Sequence, residues 1–226
     1  MRSTGATLEH AAVVTTGVCL TGDRTITAID SHAHVFRRDL PLALVRRHTP
    51  DYDALLSDYL ALLDAHLVSH AVLVQPSFLG TDNHFMLDAL RARPQRLRGV
   101  VVVEPTVSEG ELQTLADGGI CGIRLNLVGL KIPDFSQSDW RALFARVRAL
   151  GWHVELHCGS SELAHAAQPV LDAGCKLVID HFGRPDPTRR AAAPTRDGTG
   201  CCAQRAAGLC GSNWRRAIAT GQTSAA

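Results

Sequence analysis

Thr27-Ala28-Ile29-Asp30-Ser31-His32-Ala33-His34-Val35-Phe36 is an apolar run that closes on two histidines spaced i, i+2. In an extended strand, alternate side chains share a side, so His32 and His34 project together while Ala33 points away. Paired imidazoles at a strand end fill a core poorly but suit a metal ion or a substrate oxygen.

Downstream, short apolar runs alternate with helical patterns. Leu55, Leu56, Tyr59, Leu60 and Leu63 fall on one helical stripe within 52–67. Strands are predicted at 71–78, 97–103, 122–127, 152–157 and 176–180, with helices near 84–93, 108–117, 136–150 and 161–173. Ser108-Glu109-Gly110-Glu111 and Ser136-Gln137-Ser138-Asp139 both read as capping boxes. Leu97–Val103 is continuous in Val and Leu, as strands covered on both faces tend to be. The repeated strand–helix order predicts an α/β fold with a parallel sheet, a (β/α)8 TIM-barrel type carried through about six βα units.

Beyond about Thr188 the pattern stops. Residues 189–226 hold ten Ala, six Arg, five Gly and three of the seven Cys, with only Leu209 and Ile218 from Leu, Ile, Val and Phe. Such a segment buries too little apolar surface to offset its ordering entropy. The organisation expected is therefore a flexible extension over 1–26, a partial barrel over 27–188, and a disordered or frameshifted tail over 189–226.

Composition narrows the function classes. The chain has 226 residues, 46% apolar and 20% charged, with a net charge of +1. That balance predicts neither a nucleic-acid nor a membrane partner. No run reaches the roughly 20 apolar residues of a membrane span. The seven cysteines form no CxxC pair, so a disulfide framework or zinc ribbon is not expected, and a cytoplasmic location is. The glycines make no GxGxxG or Walker pattern. Oligomeric state is not legible.

The polar residues gather at predicted strand ends. His32 and His34 end the first, Gln75 and Ser77 the second, Glu104 the third and His157 the fifth. Arg124 and Asn126 lie on the fourth, and His181 follows the sixth. In a parallel barrel these ends open on one face, where such folds carry active sites. Arg124 sits inside an apolar strand, so its guanidinium requires an anion: a substrate carboxylate, Glu104 or Asp180. His48 lies in the loop over the first strand. The remaining histidines, including His153 at the opposite end of its strand, read as structural, and Cys121 and Cys158 as small packing residues.

The run Ile29–Phe36, the segment Val154-Glu155-Leu156-His157 and the segment Val178-Ile179-Asp180-His181-Phe182-Gly183-Arg184-Pro185-Asp186 together resemble the amidohydrolase superfamily. Leu73-Val74-Gln75-Pro76-Ser77, Thr81-Asp82-Asn83 and Gly122-Ile123-Arg124-Leu125-Asn126 are similar to its branch containing 2-pyrone-4,6-dicarboxylate lactonase. The resemblance implies a hydrolase acting on a small carboxylated lactone or ester. It assigns His32, His34 and His157 to a divalent, zinc-like metal and His181 to catalysis. In the lactonase branch no metal is implied, and Ser77, Arg124 and, approximately, Lys131 would hold substrate carboxylates. His157 stands where that branch carries a tyrosine, which favours the metal-binding variant. The family's general-base aspartate after strand eight has no counterpart, since Asp197 is the only acid of the tail and lacks a strand context. An impaired hydrolase is therefore expected. The alternatives are a non-catalytic barrel that only binds ligand or metal, and a metal-dependent decarboxylase relative.

Overall fold

The computed structural model describes residues 26–185. Almost all of the expected N-terminal extension and the whole of the Ala/Arg/Gly tail, with Asp197, lie outside the described residues. Six strands form one sheet: β1 (Ile29–Ala33), β2 (His70–Val74), β3 (Leu97–Val101), β4 (Ile120–Asn126), β5 (His153–His157) and β6 (Lys176–Ile179). Their spatial order follows the chain, β1-β2-β3-β4-β5-β6, and every adjacent pair is parallel. Five helices connect them: α1 (Leu56–Ala65), α2 (His84–Ala92), α3 (Glu109–Asp117), α4 (Ser138–Ala149) and α5 (Leu163–Asp172). Helix α2 packs on β3, α3 on β4, α4 on β5 and α5 on β6. The architecture is six units of a TIM-type barrel, as the alternation predicts. No helix among the described residues is long and apolar enough to cross a membrane.

The apolar core fills the layer between sheet and helices. Leu73, Leu97, Ile123, Val154, Leu156 and Leu177 from the strands, with Leu112, Leu143, Phe144 and Val170 from the helices, are all essentially inaccessible to solvent. A side chain at Gly99 would meet Ile120 and Leu90 at 2.6 and 2.8 Å, so the close approach of α2 and β4 requires glycine there. A Cβ at Gly122 would meet the His153 ring at 2.7 Å. Gly122 therefore faces the same side of the sheet as His153, and by alternation so do Arg124, Asn126, Glu155 and His157. That side is polar.

Local expectations fared unevenly. Ser108 accepts from the Glu111 backbone while Glu111 reaches back to the Ser108 backbone, a complete capping box. The second box does not form. Ser136 instead turns back to Asp134, its hydroxyl donating at 2.6 Å, and α4 starts at Ser138 after an uncapped Gln137. Strand β2 stops at Val74, because Pro76 has no N–H to continue a ladder, and Ser77–Leu79 forms a short 3₁₀ turn. Gln75 and Ser77 thus belong to the loop above the strand rather than to the strand itself.

Candidate active site

The mouth of the sheet is centred on Arg124. Its Nη2 and Nε lie 2.5 and 3.0 Å from one carboxylate oxygen of Asp180, just past β6. Nε is also 3.1 Å from Oε1 of Glu155 on β5, and Nη1 donates to the Gln75 carbonyl at 3.2 Å. Register explains part of this, since the Cα atoms of Arg124 and Glu155 are direct partners across β4 and β5. All three charged residues are buried. Of the partners open to Arg124 from sequence, Asp180 is present. Glu104 is not, for it lines a separate groove of about 460 Å³ with Leu42, Val45, Leu79 and Asp82. Within the fold Arg124 is already neutralised by Asp180, which answers the burial of its guanidinium without a substrate carboxylate.

Two carboxylates beside one guanidinium cannot both ionise comfortably. Burial and then the neighbouring Asp180 push the Glu155 carboxyl well above the ordinary range, so it is protonated at neutral pH. Burial also pulls Asp180 upward, but the hydrogen bond from Glu155 and the Arg124 charge outweigh it and hold Asp180 ionised. The cluster is a neutral acid, a carboxylate and a guanidinium.

The imidazoles surround it. His32 Nδ1 lies 3.3 Å from Glu155 and 3.7 Å from Asp180, while its buried Nε2 has no partner. The turn that sets the pair is braced behind: Asp30 accepts from the His32 backbone N–H at 3.2 Å and from the Tyr59 hydroxyl at 2.9 Å. The His34 ring packs edge-on against His32 at 4.9 Å, with Nδ1 2.6 Å from the Val74 carbonyl. The His181 ring lies 5.6 Å from that of His32 and 4.9 Å from that of His157. Burial lowers the pKa of both His32 and His157 to about 4, and lowers that of His34. These three rings are therefore neutral near pH 7.

His181 is placed by an unusual turn. His181, Phe182 and Arg184 all have positive φ, at 49°, 53° and 46°. Each such non-glycine residue is disfavoured by roughly 1–2 kcal/mol. Strain gathered this way is characteristic of functional sites. The turn swings Arg184 back so that Nη1 sits 3.5 Å from His157 Nε2, while Arg124 Nη2 sits 3.4 Å from His157 Nδ1. A neutral imidazole has one acceptor nitrogen, so only one of these long contacts is a hydrogen bond at a time.

The geometry groups a set of ligand atoms that overlaps the expected metal set at His32. His32, Asp180 and His181 each offer a ligand atom, all within 4.8 Å of one another. Two histidines and a carboxylate, one imidazole having a free nitrogen, fit a divalent ion. Among the described residues His34 and His157 stand outside that group: His34 is held through Nδ1 by the Val74 carbonyl, which is compatible with ligation through its other nitrogen, while both nitrogens of His157 face guanidinium groups. The other expected residues lie in the loops that follow the strands. Lys131 is exposed in the loop after β4, and the exposed His48 touches Phe78 ring to ring at 5.8 Å. Ser77 is half-buried at the start of its 3₁₀ turn. Sequence reasoning assigned no role to Glu155, although a lone glutamate between Val154 and Leu156, opposite Arg124, was the available signal. It also passed over Arg47, whose pKa is lowered first by partial burial and then by the charges of Arg184 and Arg124.

Parallel strands thus deliver imidazoles, a guanidinium and carboxylates to one mouth, a histidine-rich site on a TIM-type barrel. Comparison with known proteins narrows the class. The amidohydrolase family model matches residues 29–206, and the chain belongs to that family. It is 35% identical over 165 residues to a 2-pyrone-4,6-dicarboxylate hydrolase of Comamonas testosteroni, covering 72% of this chain and 53% of that protein. It is 31% identical over 167 residues to a 4-sulfomuconolactone hydrolase of Hydrogenophaga intermedia, covering 71% and 54%. Among solved structures, a candidate 2-pyrone-4,6-dicarboxylic acid hydrolase of Pseudomonas putida matches with 48% identity and a TM-score of 0.70, over 80% of this chain and 64% of that one. A similar candidate from Acinetobacter baumannii, solved with citric acid bound, gives 43% and 0.69, over 71% and 60%. The chain spans about half the length of the curated relatives it matches.

Proposed function

We propose that the mouth of this barrel hydrolyses a small lactone or ester bearing carboxylates, of the 2-pyrone-4,6-dicarboxylate kind. The observation that carries the reading is the pair Arg47 and Arg184. Among the described residues neither has a carboxylate within ion-pair reach; Arg184 Nη1 lies 3.5 Å from His157 Nε2, and the Arg47 charge is near enough to contribute to lowering the His157 pKa. Unneutralised guanidinium groups at the rim of a site suit a carboxylated substrate, with forked donors matched to its oxygens. Citrate in a related protein and carboxylated lactones in the names of relatives agree with that chemistry.

In the reaction, Arg47 and Arg184 seat the substrate carboxylate and bring the lactone carbonyl over His32 and His181. A water oxygen adds to the carbonyl carbon while an imidazole nitrogen of His181 takes one water proton. The ring C–O bond then breaks, and the proton passes to the departing ring oxygen, giving the open-chain acid. Arg124, neutralised by Asp180 and braced by Glu155, fixes the floor on which these groups stand. That role for His181 belongs to the ion-free site; a divalent ion held by His32, Asp180 and His181 would occupy the acceptor nitrogen of His181 and would itself supply Lewis-acid chemistry at the carbonyl.

The test is loss of pyrone absorbance on incubating 2-pyrone-4,6-dicarboxylate with the purified chain, with chelator or with added zinc. Hydrolysis above the buffer rate is expected, with His181→Asn lowering it by a factor on the order of 10² to 10⁴. Loss under chelator and recovery with zinc would assign His32, Asp180 and His181 to an ion. Binding without hydrolysis in any condition would reduce the protein to a ligand-binding barrel, and absence of both would overturn the reading.

A further inference from the structure

Apart from Asn126, the buried amide side chains of this fold, Asn83 and Gln75, are anchored at one end or both. Asn83 donates to the carbonyls of Thr81 and Val102 at 2.9 and 2.8 Å and accepts from the Val102 N–H at 3.1 Å. Gln75 donates to the carbonyls of Asp82 and Gly80 at 2.7 and 3.3 Å, and only its Oε1 has no partner. These residues hold loops in place. Asn126 does the opposite: both its Oδ1 and its Nδ2 are shielded from solvent and neither has a partner. Because both ends are orphaned, exchanging oxygen for nitrogen by a flip changes nothing.

Its position explains what the amide faces. Asn126 is the last residue of β4, two beyond Arg124 on the same inward side, and its Cα is paired with that of His157. The backbone around it is fixed, since the Leu127 N–H donates to the His157 carbonyl at 2.8 Å. The other buried atoms without a hydrogen bond are Nε2 of His32 on β1, Oε1 of Gln75 just past β2 and Oε1 of Glu155 on β5, the last in charge contact with Arg124 at 3.1 Å. Native folds rarely leave a buried polar group unpaired without a functional reason.

Resting on the hydrolase reading, we infer that Asn126 is a substrate-contacting residue that reads the scissile acyl oxygen together with the attacking water. Nδ2 donates to the lactone carbonyl oxygen, and Oδ1 accepts from the attacking water before hydrolysis and from the released enol or hydroxyl after it. A single amide presenting donor and acceptor side by side matches both ends of the scissile acyl group. It discriminates against ligands lacking a carbonyl, because they would leave the amide unpaired.

Two measurements on the full chain test this. Asn126→Leu keeps the side-chain size and removes both orphaned atoms, while Asn126→Asp keeps an acceptor and loses the donor. Affinity for 2-pyrone-4,6-dicarboxylate by calorimetry is expected to fall about 10- to 100-fold in both. The ligand-free melting temperature of Asn126→Leu is expected to hold or rise, because nothing that was paired has been lost. Wild-type affinity in Asn126→Leu, or a melting temperature lowered by several degrees, would overturn the inference and make Asn126 structural. The melting comparison needs no ligand, so it decides the role of Asn126 even if the wild-type chain leaves the pyrone untouched, an outcome that would count against the hydrolase reading instead.

Discussion

Arg124 and Asp180 are bonded through two guanidinium nitrogens to one carboxylate oxygen, 56 residues apart in sequence and both out of reach of solvent. With Glu155 protonated beside them, the pair is neutral overall and ties β4 to the turn after β6. Removing one member strands the other. Arg124→Met is expected to destabilise the fold by about 3–5 kcal/mol in urea unfolding, whereas Arg124→Met with Asp180→Leu should recover much of that loss. Equal stability of the single and double variants would show that the pair does not behave as a unit.

Glu155 sets a pH dependence whose sign follows from its proton. The folded state keeps that proton above 4.5, the ordinary value, whereas the unfolded chain has released it. The fold then binds more protons than the unfolded state, so the contribution of Glu155 lowers stability as pH rises from 4.5 towards its raised value. Glu155→Gln mimics the neutral acid and should flatten that part of the profile while changing stability little at acid pH. Urea midpoints from pH 5 to pH 8.5 check it, and parallel profiles for the two proteins would contradict it.

Arg184 is expected to act on binding more than on chemistry. A hydrogen bond to a charged group contributes about 1.5–3 kcal/mol, so Arg184→Met should raise KM for a carboxylated lactone roughly 10- to 100-fold. The value of kcat should change much less, since His181 and His32 remain. Steady-state kinetics separate the two, and a loss confined to kcat would place Arg184 in the chemistry instead.

Much of this architecture could be read from the chain. The strand–helix alternation revealed the six β/α units, and the spacing of His32 and His34 marked the mouth. What the sequence could not convey was which atoms meet. Position on a strand end says that His157 and His181 open on one face. It does not say that a left-handed turn brings His181, rather than His34 or His157, into ligand distance of His32 and Asp180. Glu155 escaped notice because a buried acid is intelligible only once its register with Arg124 is known. Ser136 misled because a capping pattern competes with the nearer Asp134, and short-range hydrogen bonds of that kind win locally. Arg47 lay in a loop whose path no periodicity encodes.

The central claim is that this mouth recognises a carboxylated lactone through its unneutralised arginines. Calorimetric titration of the purified chain with 2-pyrone-4,6-dicarboxylate and with unsubstituted 2-pyrone tests it most directly. The dicarboxylate should bind at least about tenfold more tightly, a difference of about 1.4 kcal/mol, and lose that advantage in Arg47→Met with Arg184→Met. Equal affinity for the two pyrones, or a preference for the uncharged one, would contradict the account.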